Sequence, residues 1–155
     1  MNRRARLLCC LACALAAGGC CRALAEKAVE VGTDGAVKIA DGGVTVTADG
    51  GTLTAGGTAK VPADWPADVP VYPGARLTAV GAGANVRTLV LTTVDSPAKV
   101  SAFYKTNLPG WTTTVDLTGP DGGLAQRTKG KMGLAVNITK SADGSAGFTL
   151  SHGPL

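Results

Sequence analysis

No cysteine occurs after Cys21. All five, Cys9, Cys10, Cys13, Cys20 and Cys21, sit at the start of the 155-residue chain. A disulfide framework is the usual staple of a small exported domain, and it is excluded for everything that follows. The remainder has to hold by packing and sheet hydrogen bonds. Aromatic residues are nearly as scarce, with two each of Trp, Tyr and Phe. Histidine occurs once, as His152. One imidazole cannot assemble a zinc ligand set. Acid–base and nucleophilic catalysis ordinarily draw on His, Cys or paired carboxylates, and His152 stands beside Gly153-Pro154 at what reads as a frayed end. The expectation is a non-enzyme with no catalytic residue, no metal site and no cofactor.

A basic folded surface is missing as well. The formal charge of +4 comes from Arg3, Arg4, Arg6 and Arg22; from Glu26 onward 11 basic residues face 11 acidic ones. Nucleic-acid binding needs a cationic surface to neutralise phosphates, so it is excluded. The charge is unevenly spread, however. Residues 26–74 carry three Lys against seven acids, and residues 75–155 carry eight Lys/Arg against four acids.

Nor is there a hydrophobic run long enough for a membrane helix. Leu7 to Ala17 gives 11 apolar residues behind Arg3, Arg4 and Arg6, whereas a span takes about 20. This is the pattern of an export signal. Two processing sites compete. Ala17-Gly18-Gly19-Cys20 has the small residues before Cys of a lipobox, with Ala17 where Leu is usual, and would place a lipid on Cys20. Ala23-Leu24-Ala25 offers ordinary cleavage before Glu26 and a soluble periplasmic or secreted product. The lipobox is preferred because it retains Arg22 to Glu30, which reads as a short helix after the anchor. Acylation with two or three chains anchors stably, where one chain does so marginally.

Glycine is what the sequence has in quantity, 22 residues in all. Ala40-Asp41-Gly42-Gly43 returns eight residues later as Ala48-Asp49-Gly50-Gly51. Between and around these lie Val37 to Ile39, Val44 to Thr47 and Thr52 to Thr54, each alternating apolar with polar. That is the period of a half-buried strand, and Asp-Gly supplies the positive φ of tight hairpin turns. Turn chemistry accounts for these Asp-Gly pairs without calcium, whose nonapeptide frame is absent. Four prolines in residues 60–74 favour extended chain lying partly docked along the domain surface. From residue 75, strands are expected over Leu77–Val80 and Val86–Val94. A helix capped by Ser96 with Pro97 at its first position should run to about Leu108, where Pro109-Gly110 stops it. Four further strands follow over Trp111–Leu117, Leu124–Lys129, Gly133–Lys140 and Ala146–Ser151. Val100, Phe103, Tyr104 and Leu108 form one apolar stripe, which makes Phe103 a core residue. The fold class expected is α+β: a small antiparallel sheet with one helix on a face (β-β-α-β-β-β-β), preceded by a Gly-rich β meander. The organisation is signal peptide 1–19, anchor and short helix 20–31, meander 32–59, Pro-rich linker 60–74 and α+β domain 75–155.

The sequence offers further candidate sites. Gly81-Ala82-Gly83-Ala84-Asn85 precedes a strand and not a helix, so it reads as a hairpin and not a phosphate loop. Arg127, Lys129 and Lys131 fall two apart and offer contact to an anionic partner, or guard a solvated edge. Trp65 and Trp111 suit sugar stacking or, more simply, packing.

The order Asp68-Val69-Pro70-Val71-Tyr72-Pro73-Gly74-Ala75, Leu91-Thr92-Thr93, Val100 with Phe103-Tyr104-Lys105, then Gly110-Trp111 resembles a family of small, uncharacterised bacterial envelope proteins, mostly lipoproteins. The resemblance implies an envelope location and lipidation, and brings no enzyme activity and no catalytic residues. The reading is an exported module anchored to a membrane through lipid, non-catalytic, binding or scaffolding an envelope protein partner. The alternative is a carrier of a small apolar ligand held between helix and sheet.

Overall fold

The computed structural model describes residues 29–31, 35–40, 42–48 and 50–155. The signal region and Cys20 lie outside them. The described elements are β1 (Val29–Val31), β2 (Gly35–Ala40), β3 (Gly43–Ala48), β4 (Gly51–Gly56), β5 (Arg76–Ala82), β6 (Arg87–Thr93), α1 (Pro97–Thr106), β7 (Thr112–Asp116), β8 (Gly122–Lys129), β9 (Met132–Lys140) and β10 (Ala146–Pro154). They make an α+β fold of one antiparallel sheet with one helix. Strand order is β1-β2-β3-β4-β5-β6-β10-β9-β8-β7. Val29 and Glu30, expected in the short helix, instead pair with Val37 and Ala36 as strand β1. β-branched valines alternating with a polar residue favour that outcome.

The chain runs as a meander through β6, then α1 carries it across the sheet to the far edge, where β7 begins the return. β10 closes the circuit by pairing with β6 on one side and β9 on the other. His152 is therefore not at a frayed end: it stands opposite Arg87 and Leu134 inside a central strand. The meander and the later strands share one sheet, since β4 pairs with β5 through Thr54 opposite Val80. At the start of β8, Gly122 and Gly123 hold φ of 115° and 131°. A Cβ on either would lie 2.3 or 2.2 Å from a backbone oxygen, so glycine is obligatory there.

The core lies on the face of β5–β10 that meets α1. Leu89, Leu91, Leu134, Val136, Ile138, Phe148 and Leu150 supply the sheet side, with Val100 and Tyr104 from the helix. Ser96 occupies the N-cap with Pro97 after it, but its side chain makes no capping hydrogen bond. The first turn is held instead by the Ser96 carbonyl, which accepts from Lys99 N at 3.1 Å, and by the Lys99–Asp95 ion pair at 2.7 Å. α1 ends at Thr106, and Leu108 to Trp111 form a turn with Gly110 at φ 77°.

Phe103 is half-buried, not a core residue; Tyr104 is 1% exposed. One residue is 100° of helix, and that rotation puts Tyr104 under the helix and Phe103 at its flank, edge-on to Tyr72 and Tyr104. Truncating a buried aromatic costs about 3–5 kcal/mol through lost transfer energy and cavity formation. Tyr104→Ala should therefore lower the melting temperature by on the order of 10 °C. Phe103→Ala should lower it distinctly less, and Lys99→Ala hardly at all. Equal losses for Phe103→Ala and Tyr104→Ala in thermal melts would contradict this placement.

Candidate functional site

The segment between β4 and β5 is not extended. Pro62–Trp65, Pro66–Val69 and Tyr72–Ala75 each close a turn, the backbone amide of the last residue donating to the carbonyl of the first at 3.0–3.1 Å. Two of the prolines stand first in their turns, where only a carbonyl is needed, and Pro73-Gly74 supplies the fixed φ and positive φ of a type II turn. The turns lay Val69 and Tyr72 into the core and Trp65 against it. Trp65 Nε1 donates to the Val69 carbonyl at 2.8 Å, which locks the segment on itself.

Packing of this segment on the sheet gathers the most chemically varied group of side chains. The His152 ring meets Trp65 edge-to-face at 6.2 Å and Trp111 at 5.9 Å. Trp111 Nε1 donates to Asp68 Oδ2 at 3.0 Å, and Lys129 Nζ donates to the same oxygen at 2.6 Å. The Lys129 bond holds the Asp68 carboxyl below its ordinary 3.8, burial opposes that, and the Trp111 bond adds to the lowering. Burial holds His152 below 6.5, partly offset by the Asp68 charge. A second pair lies at the start of α1, where the Tyr72 hydroxyl donates to Asp95 Oδ2 at 3.0 Å.

This constellation binds the chain to itself. Asp68 is committed to Lys129 and Trp111, and His152 makes no side-chain hydrogen bond among the described residues. A base oriented by a carboxylate and aimed at a nucleophile is the geometry of covalent catalysis, and it is not formed here. Trp65 and Trp111 present their rings to His152, so packing takes the surfaces that sugar stacking would need. Among the described residues no three His, Cys, Asp or Glu side chains come together as a metal would require.

Arg127, Lys129 and Lys131 do not form one cationic face. Arg127 points to the α1 side and is 5% exposed; its Nη1 donates to Thr113 Oγ1 and its Nε has no partner. Lys129 is spent on Asp68, and Lys131 lies beyond the end of β8 in an exposed turn. Strand alternation puts 127 and 129 on one face, but that face is the interior one. Nothing local in the sequence marks Asp68 as a site residue, since its partners lie 43 and 61 residues away.

The space between α1 and the sheet is filled by Tyr104, Phe148 and their neighbours. The Tyr104 hydroxyl is buried there with no hydrogen-bond partner. Concave ground lies on the opposite face. One groove of about 280 Å³ runs beside Val86, Gln126, Ala135, Ser151 and Leu155. A shallower depression of about 410 Å³ lies over Val46, Leu53, Gly81 and Thr88.

Because His152 is held below its ordinary value in the fold, protonation favours the unfolded chain. Its contribution is full above pH 6.5 and is lost as pH falls through the lower folded value. Thermal melts should show stability falling below pH 6.5, before the carboxylates titrate. His152→Gln should flatten the curve in that window, and an unchanged slope would assign the loss to other groups.

The model of the START domain-like family matches residues 76–146, a little under half the chain, from β5 to the first residue of β10. No curated protein and no solved structure matches the chain.

Proposed function

We propose that this chain is an exported binding module, held at the outer face of a membrane by a lipid on Cys20 and without chemistry of its own. The observation that carries the reading is the two-sidedness of the sheet. One face of β5–β10 is sealed by α1 and the turns of residues 62–75, which consume Asp68, Lys129, Tyr72 and both tryptophans in internal contacts. The other face of β2–β10 is covered by no element among the described residues. A scaffold that spends its titratable groups on its own cohesion and leaves a broad sheet face free is suited to contact and not to turnover. The START domain-like match also points towards a ligand-binding module.

That match favours a second reading, carriage of a small apolar ligand between α1 and the sheet. In it the unpartnered Tyr104 hydroxyl would be a ligand contact, and α1 would have to lift to admit the ligand. Ligand sites are usually largely pre-formed, and here the space is occupied by side chains, so the open face is preferred.

The anchor is tested by Cys20→Ser. The protein should lose the mass of its acyl chains, and its signal should no longer be removed before position 20. Unchanged mass would sink lipidation and leave cleavage after Ala25.

A further inference from the structure

The sheet reverses its polarity between β4 and β5. In β5 and β6 the apolar side chains Leu77, Val80, Leu89 and Leu91 point towards α1. Val80 stands opposite Thr54, and Thr54 stands opposite Thr45, so in β3 and β4 that same face carries threonines. Cross-strand partners share a face and neighbours along a strand alternate. Val37 and Ile39 of β2, Val44 and Val46 of β3, and Leu53 and Ala55 of β4 therefore stand on the face away from α1. Ile39 is 42% exposed, Val44 39% and Leu53 48%. Among the described residues nothing covers them. Continuous apolar ground of this kind on a sheet marks an interaction surface.

Two features say what the surface meets. Followed across β2–β10 by register, the face carries one charged side chain, Arg76, and no carboxylate. Its other members are Val, Leu, Ile, Ala, Gly, Thr, Ser, Asn and Gln. The partner needs no cationic complement, and a bilayer surface tolerates such a face, with no carboxylate to desolvate. The second feature is the tether. Cys20 is nine residues before Val29, the first residue of β1. Fully extended, nine residues reach about 30 Å. A lipid on Cys20 thus keeps Val29, at the apolar end of the sheet, within that distance of the bilayer, and raises the effective concentration of β2–β4 for the lipid.

We infer that the outward apolar face of β2–β4 lies on the lipid bilayer, with Ile39, Val44 and Leu53 entering the boundary between headgroups and acyl chains. The inference rests on the membrane-anchored reading for its tether and on the sheet itself for its contact. Acyl chains fix the chain to the membrane, and the face sets its orientation, turning α1 and the turns of residues 62–75 away from the lipid.

The contact is tested apart from the anchor with the unacylated Cys20→Ser chain and phosphatidylcholine vesicles. The chain should cosediment with vesicles, and raised salt should not release it, since the contact is apolar. Ile39→Asp with Leu53→Asp should lower the bound fraction at least about tenfold, whereas Thr52→Asp, on the other face of β4, should leave it unchanged. Should the double Asp variant lose its circular dichroism spectrum, Ile39→Thr with Leu53→Thr keeps strand propensity and serves instead. Failure of the Cys20→Ser chain to bind, or equal binding by the variants, overturns the inference. So does a concentration-dependent dimer that the same variants dissolve without vesicle binding, which assigns the face to a second copy. Failure of the anchor alone shows as an unchanged mass of Cys20→Ser from cells and leaves the vesicle result standing.

Discussion

An antiparallel sheet with apolar side chains needs something laid over them, and the described residues supply very little to lay. α1 has ten residues, about 15 Å of helix. A sheet of ten strands spans roughly 43 Å at about 4.8 Å per strand. One short helix covers about a third of that width. The rest of the architecture follows from this shortage. Residues 62–75 become a second cover, folded into turns that press Val69, Tyr72 and Trp65 onto the sheet. Beyond their reach, β2–β4 stop contributing to the shared core and point their apolar residues the other way.

The second cover has to be fastened, because a turn-rich segment has no ladder of its own. Its fastenings are polar and few: Asp68 to Trp111 and Lys129, Tyr72 to Asp95, and Asp64 to Arg87 at 2.8 Å. Exposed ion pairs contribute little by themselves. The aromatic contacts do more. Tyr72 meets Phe103 and Phe148, and His152 meets both tryptophans. Tyr104, packed on Phe103 and Phe148, completes the set of six Trp, Tyr and Phe residues. With so few aromatic residues, the core and its margin draw on all six for packing.

Much of the local structure is legible in the sequence. Alternation locates the strands, Asp-Gly and Ala142-Asp143-Gly144-Ser145 locate hairpin turns, and Pro97 and Pro109-Gly110 bracket the helix. Alternation has a period but no sign, however. It says that Arg127 and Lys129 share a face, and does not say that the face is the inner one. For the same reason the reversal at β4 is invisible: Val44 and Leu53 alternate as cleanly as Leu89 and Leu91, and only the register against β5 shows that they point oppositely. The Asp68–Trp111–Lys129 fastening spans too much chain to leave a local mark. His152 reads as terminal in the sequence, because position along the chain does not reveal that β10 is inserted between β6 and β9.

On the proposed bilayer contact, the two faces of β4 should differ in their access to water. Thr52 and Leu53 are adjacent on β4 and project to opposite faces. Thr52→Cys and Leu53→Cys, each introduced beside Cys21→Ser, can be treated in native membranes with a membrane-impermeant thiol reagent. The expected result is rapid labelling at position 52 and protection at position 53, with both positions labelled after detergent extraction. Equal labelling of the two in intact membranes would contradict it.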